Sequence, residues 1–423
     1  MSEQRILPYP RTILRDEAMT DGTSRVLQLG VNGHEELTYK AVFENGVEVS
    51  RDLIAQRATT LPREEIVLVG AKGLLKSAPI SGTVFYASNG NAWIMRDSSG
   101  AKRPLTFSGD LDGRAFAVSP DGNRLLFSRR SSVGGAVGAV GPLNSLWQVD
   151  TRIVGETAVA VGVESVLYAD WAGDSQIVYS TAERTAGAPG WKAHNDLWLY
   201  HTVSRTKQLL APPMTHIAYA FWGVNWQLSP DRRRLVYASA DEIGFVELPT
   251  GSRTVLQQFP VYHTQSGWVW VPDVSWSPDG SLIVATLHSP PPDTPNPERA
   301  PLFDVWAISA SGTFAAQLAP ATGMFANPSW SRLGRIAYAQ AHNPPQSADS
   351  QYDIFVMDVD GSNKLLVFPQ TGDRGVTNPQ MVWSNDGRQM IVLQDGNLFL
   401  ANVGGRGITQ LTTDGGGTLV RWR

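Results

Sequence analysis

The sequence predicts an all-β protein in two parts, a small β module followed by a closed ring of repeated sheets. Three observations carry that reading. A short hairpin signature recurs along most of the chain, the strand missing from its first copy stands at the far end, and the first seventy residues alternate without repeating.

The signature is clearest in residues 273–288, DVSWSPDGSLIVATLH. Pro278 presets φ, Asp279 and Gly280 accept turn geometry, and the alternating residues on both sides fit strands, which together make a tight hairpin. It returns as VSPDGNRLLFS from Val118, LSPDRRRLVYAS from Leu228, WSRLGRIAYAQ from Trp330 and WSNDGRQMIVLQ from Trp383. A weaker copy, WAGDSQIVYST, opens at Trp171. Each is followed by a strand often opened by Asp or Asn, such as DLWLYH, DVWAIS or DIFVMD, and several units end on another, such as RPLTF or ITQLT.

The unit containing VFYAS (from Val84) lacks the opening segment, and TLVRW, closing on Trp422, supplies it. A β-propeller removes its sheet edge in this way, the last strand completing the first blade. The repeats give seven blades at a spacing of about 50 residues. Six and eight are the alternatives, because the copy at Trp171 is degenerate. The stretches SWSPDGSLIVAT and YDIFVMDVDGSNKLLV resemble TolB-like, PD40-type propellers, whose members often have six blades. That resemblance implies the fold; propellers host binding modules, peptidase gates, lyases and hydrolases alike.

Before Ala71 the pattern changes. Period-two alternation runs through the segment, and ENG at Glu44–Gly46 is a strong hairpin turn. The apolar residues are small or β-branched and never form a thick run, so a thin, elongated β module with little core is expected. It resembles the G5 domain: LTYKAVFENGVEVSRDLI matches the family's central portion, and its five spaced glycines correspond to Gly22, Gly30, Gly33, Gly46 and Gly70. The resemblance implies a bacterial surface or secreted protein, with N-acetylglucosamine-containing polymers as ligands, or a spacer. The expected division is a G5-like module at 1–72, a linker at 73–80 and the propeller at 81–423.

Composition narrows the function. With 42% hydrophobic and 17% charged residues a sizeable core is affordable. The net charge of −4, without a long basic run, argues against nucleic acid as partner. No stretch is long and apolar enough to span a bilayer. The absence of cysteine excludes disulfides, thiol nucleophiles and thiolate metal sites. The start, MSEQRILPYP, lacks a secretory apolar stretch, so the chain is either cytoplasmic or a mature or trimmed form. Location outside the cytoplasm follows from the G5 resemblance.

Catalytic motifs are scarce. No Gly-x-Ser-x-Gly elbow occurs, and GDSQI at Gly173 breaks the pattern at its last position. None of the seven histidines pairs at His-x-x-x-His spacing. DVDGSN at Asp358–Asn363 lacks the later bidentate Glu of a calcium loop and reads as a turn. No cofactor or metal is expected.

Antiparallel strands put the second-to-third connections and the blade-to-blade connections at one end, opposite the tight turns. Long connections occur at 131–144, 183–195, 289–303, 341–352, 211–224 and 259–273, all at that end. Elaborated loops on a rigid scaffold usually form the binding face. Of the fourteen tryptophans, Trp93, Trp147, Trp171, Trp198, Trp276, Trp306, Trp330, Trp383 and Trp422 repeat with the strands and are expected to pack between blades. Trp191, Trp222, Trp226, Trp268 and Trp270 do not repeat and sit in or beside the long loops, although Trp226 shares strand parity with Leu228. Such rings either stack on a ligand or pack the loops themselves. The expected ligand contacts are Trp191, Trp222, Trp268 and Trp270, with His194, Tyr262 and His263 as polar partners. HSPPPDTPNPERAP (His288–Pro301) is expected to be an extended rim. The leading expectation is a non-catalytic extracellular or cell-surface protein binding a glycan or a protein. The alternative is a carbohydrate-active lyase or hydrolase with residues from several blades around the channel.

Overall fold

The computed structural model describes residues 2–20, 23–44, 47–72, 75, 77–131, 141–153, 157–186, 189–264, 266–370, 372–404 and 407–423. The chain divides into two compact units, Met1–Leu74 with Arg152–Ala158, and Leu75–Thr151 with Val159–Arg423. Both are β throughout, and the described helical residues are four 3-10 turns. No described helix is long and apolar enough to cross a membrane.

The first unit has two three-stranded sheets. In one, Gly33–Glu44 pairs antiparallel with Ser2–Leu7 and Val47–Thr60. Residues 45 and 46 of the expected turn lie outside the described residues, as does Gly22, but Glu44 faces Val47 as a hairpin requires. In the other, Glu65–Lys72 runs parallel to Arg11–Thr20 and antiparallel to Ser24–Gln28. The core is thin, with Leu37, Val67 and Val69 buried. Buried carboxylates supplement it: Glu35 takes Arg5 and Gln56, and Glu65 takes Arg11. Gly30 and Gly33 are required for space, since a Cβ would strike the Tyr9 ring at the first and the Thr60 carbonyl at the second.

The second unit contains seven antiparallel sheets among the described residues. Six are continuous in sequence, as in Val274–Trp276, Leu282–His288, Phe303–Ser309 and Ala315–Ala319. The degenerate copy forms a full sheet from Val166–Gly173 outward, with Trp191–Ala193 added against Gln176–Arg184. The remaining sheet is completed from afar: Gly417–Trp422 pairs with Pro79–Ser88, Val420 opposite Tyr86 and Trp422 opposite Val84. The first strands of successive sheets neighbour one another in sequence order, and Gly417–Trp422 touches both Leu111–Val118 and Gln380–Trp383. The ring is therefore closed, as the sequence predicts.

Local chemistry explains the recurring turn. Ser277 Oγ donates to Asp279 Oδ1 at 2.6 Å and accepts the N–H of Leu282 at 2.9 Å. Ser229 with Asp231 and Ser384 with Asp386 repeat the bond at 2.6 Å. Asp121 makes the same bond with Ser119, which brings its carboxyl down to about 2. Gly122, Gly280 and Gly387 occupy the left-handed position at φ 74°, 69° and 65°. The strand tryptophans stitch sheets together. Trp171 donates its indole N–H to Ala117 O, Trp276 to Gln227 O and Trp383 to Ser329 O, each at 3.3 Å and each on the preceding sheet.

Because neighbouring strands alternate in direction, the tight turns gather at one mouth of the ring and the long connections at the other. Residues 132–140 of the first long connection lie outside the described residues.

Candidate functional site

At the loop-rich mouth, an aromatic surface surrounds two shallow cavities of about 350 and 340 Å³. Trp222 and Trp268 line both. The 3-10 turn Ala220–Trp222 carries Trp222, and Trp191 locks it by donating Nε1–H to the Trp222 carbonyl at 3.3 Å. The Arg114 guanidinium lies 4.1 Å over the Trp191 ring, occupying one of its faces. Trp268 stacks on Phe325, with centroids 6.2 Å apart. In the second cavity Tyr262 meets Phe303 and His288 edge-on at 5.0 and 5.2 Å, and burial pushes its hydroxyl pKa up. His263 lies edge-on to Tyr219 at 6.3 Å. Six of the seven expected contact residues, Trp191, Trp222, Tyr262, His263, Trp268 and Trp270, therefore line these cavities.

Two of the seven, Trp270 and His194, do not stand free. Trp270 is 2% exposed: it packs on Phe303 and Phe259 and donates Nε1–H to Met324 O at 2.9 Å. It is the floor under the surface rather than a stacking ring. His194 is turned by the short strand Trp191–Ala193 toward Thr181, whose Oγ1 lies 2.8 Å from Nδ1 and donates to Asp196. Neither cavity includes it. Counting tryptophans alone also misses Tyr219 and Phe221, 38% and 42% exposed. Their signal was the aromatic density of YAFW at 219–222.

The channel itself forms a further concavity. A chamber of about 720 Å³ opens at the tight-turn mouth and one of about 580 Å³ at the loop mouth. They share Asp170, Gln227, Trp330, Arg332, Arg421 and Trp422 and form one passage. Enclosure pushes the Asp273 carboxyl, at the loop mouth, up to about 6. Burial raises Asp170 as well, opposed by the Trp171 N–H and by Arg421, Arg232 and Arg423.

Among the described residues, no three His, Asp or Glu gather as a metal site. The histidines of the connections are dispersed: His342 bonds Asp353 at 2.8 Å, and His216 lies 3.4 Å from Glu242.

Fold and surfaces define an all-β chain that joins a two-sheet module to a propeller. Residues 2–72 match the G5 domain family. Across most of its length the chain is similar to a candidate 6-phosphogluconolactonase from Bacteroides uniformis, at 13% identity, 80% coverage of this chain, 98% of that one and a TM-score of 0.50. It is also similar to TolB from Acinetobacter baumannii, at 12% identity, with coverage of 83% and 80% and a TM-score of 0.40. Oligogalacturonate lyase from Vibrio parahaemolyticus matches at 12% identity, 80% and 86% coverage and a TM-score of 0.44. Likeness at these identities is likeness of fold. No curated protein matches the chain.

Proposed function

We propose that the protein is a non-catalytic binding protein of the cell surface or extracellular space. Its propeller receives a glycan on the aromatic surface around Trp222 and Trp268. The observation that carries this reading is the shared aromatic wall of two adjoining cavities, neither lined by a carboxylate. Flat rings with scattered donors suit the apolar faces of sugars, whereas glycoside hydrolysis needs a pair of carboxyl groups at the site. The G5 match supports a cell-wall location, with residues 1–72 as attachment element or spacer, a linker at 73–80 and the propeller beyond it. Glycan-array screening of the intact chain beside its Trp222→Ala and Trp268→Ala variants tests the proposal. Glycan capture lost in both variants supports it. No glycan bound, with a protein ligand retained by both variants, overturns it.

A second reading, a carbohydrate-active enzyme, draws on Asp273, whose pKa of about 6 suits a general acid at the channel mouth. Release of reducing ends or unsaturated products from acidic polysaccharides, lost in Asp273→Asn, would favour it.

A further inference from the structure

The opposite mouth of the channel has a chemistry of its own. Seven equivalent inner-strand positions face the passage: Ala117, Gln227, Ser275, Ser329 and Val382 are uncharged, whereas Asp170 and Arg421 are charged. The tight turns depart from their pattern toward arginine at three further places. Arg232 takes the place of the turn glycine and holds φ 59°, a left-handed conformation that a long side chain adopts only under constraint. Arg332 stands where Pro120, Pro230 and Pro278 stand in other turns, and Arg423 follows Trp422 where serine follows Trp276, Trp330 and Trp383. All four arginines, from three different sheets, line the chamber of about 720 Å³.

Their charge is poorly matched. Among the described residues Asp170 is the only acidic side chain lining that chamber, and one of its oxygens already accepts the Trp171 N–H at 2.7 Å. Asp121 acts on Arg423 from outside the lining. Arg232 donates to the Trp171 carbonyl and Arg421 to the Val420 carbonyl. The side chains of Arg332 and Arg423 make no hydrogen bond or ion pair among the described residues. A main-chain oxygen of Arg423 is taken by Thr83 N–H at 2.6 Å. Enclosure, then the neighbouring Arg232 and Arg332, lower the Arg423 pKa, and burial lowers that of Arg421. Crowded like charges with unused donors require a counter-charge, and guanidinium forks fit the paired oxygens of a carboxylate or phosphate.

We infer that the tight-turn mouth of the channel is an oxyanion-binding site, in which Arg232, Arg332, Arg421 and Arg423 grip a carboxylate or phosphate group of a small ligand. It lies at the other end of the ring from the aromatic surface and is independent of the glycan proposal.

The test is calorimetry and thermal melting of the full chain with inorganic phosphate in one arm and glucuronate in the other, against chloride at matched ionic strength. Binding and a raised Tm in either arm are expected, the stronger arm identifying the source of the oxyanion. Arg332→Gln, at an exposed side chain with no partner among the described residues, should keep the fold and weaken binding about tenfold. Asp170→Asn should tighten it. Absence of heat and of any Tm change with both anions at about 10 mM overturns the inference. So does an equal Tm rise in wild type and Arg332→Gln, which would mark a general salt effect.

Discussion

Trp191 and Trp222 meet edge to face, with ring centroids 6.2 Å apart, and the indole N–H of the first bonds the carbonyl of the second. The pair fixes Trp222 at the boundary of two cavities while leaving Trp268 as the other half of the shared wall. Trp222→Ala and Trp268→Ala should each weaken glycan binding by about 1–3 kcal/mol with little change in Tm. Trp270→Ala should instead cost about 3–5 kcal/mol of stability, because that ring is core. Binding isotherms and melting curves of the three variants check this. Equal destabilisation by all three would make the whole surface loop packing.

His288 holds the rim behind Tyr262. It is 1% exposed, with Nδ1 2.8 Å from Pro260 O and Nε2 2.7 Å from Ala300 O, so the ring lies between the two carbonyls. His288→Ala removes the ring that lies between these carbonyls and beside Tyr262. A loss of about 1–3 kcal/mol is expected. Hydrogen exchange should rise in residues 289–301, while the strand Leu282–His288 stays protected at its centre.

Asp273 gives a pH signature. A carboxyl pKa near 6 in the folded chain exceeds the unfolded value of about 3.9, so the folded state holds the extra proton between them. Stability contributed by this group therefore falls as pH rises from about 4 to 6 and stays reduced above. Asp273→Asn should stabilise the protein at pH 7 and leave it unchanged near pH 4. The carboxylate meets channel water, so the gain should not exceed about 1 kcal/mol. Urea melts at the two pH values decide it; a variant less stable at pH 7 would contradict this account.

Closure makes a fourth prediction. Removing residues 417–423 strips Pro79–Ser88 of its inner partner and exposes the edge containing Val84, Phe85 and Tyr86, each at most 2% exposed in the intact ring. The shortened chain should unfold or oligomerise. Unchanged melting and monomeric size in scattering would contradict it.

The repeat was legible because its turn is held by bonds within six residues, Ser277 to Asp279 and Leu282, which composition alone encodes. Closure was legible because the missing strand had one candidate. The site was less so. Trp268 and Trp270 are two residues apart in one stretch, and what separates them, Phe325 against one and Met324 and Phe303 against the other, comes from parts of the chain 33 to 57 residues further on. His194 lies three residues from Trp191, yet a strand of three residues turns it away. The channel arginines were visible as departures from the turn pattern, but only the ring shows that three sheets aim them at one place.

The bond from Trp422 to the Ser81 carbonyl joins positions 341 residues apart. At a synthesis rate of roughly 5–20 residues per second, the first sheet waits roughly 20–70 s for its inner strand. During that interval the row from Val84 to Ala87 has an unpaired edge beside a newborn chain. The time of greatest hazard for this protein is thus its own birth, and a holding chaperone has a defined target there. Ribosome-stalled chains ending before Gly417 should crosslink to such a chaperone through Val84–Ala87, and chains extended past Trp422 should let it go.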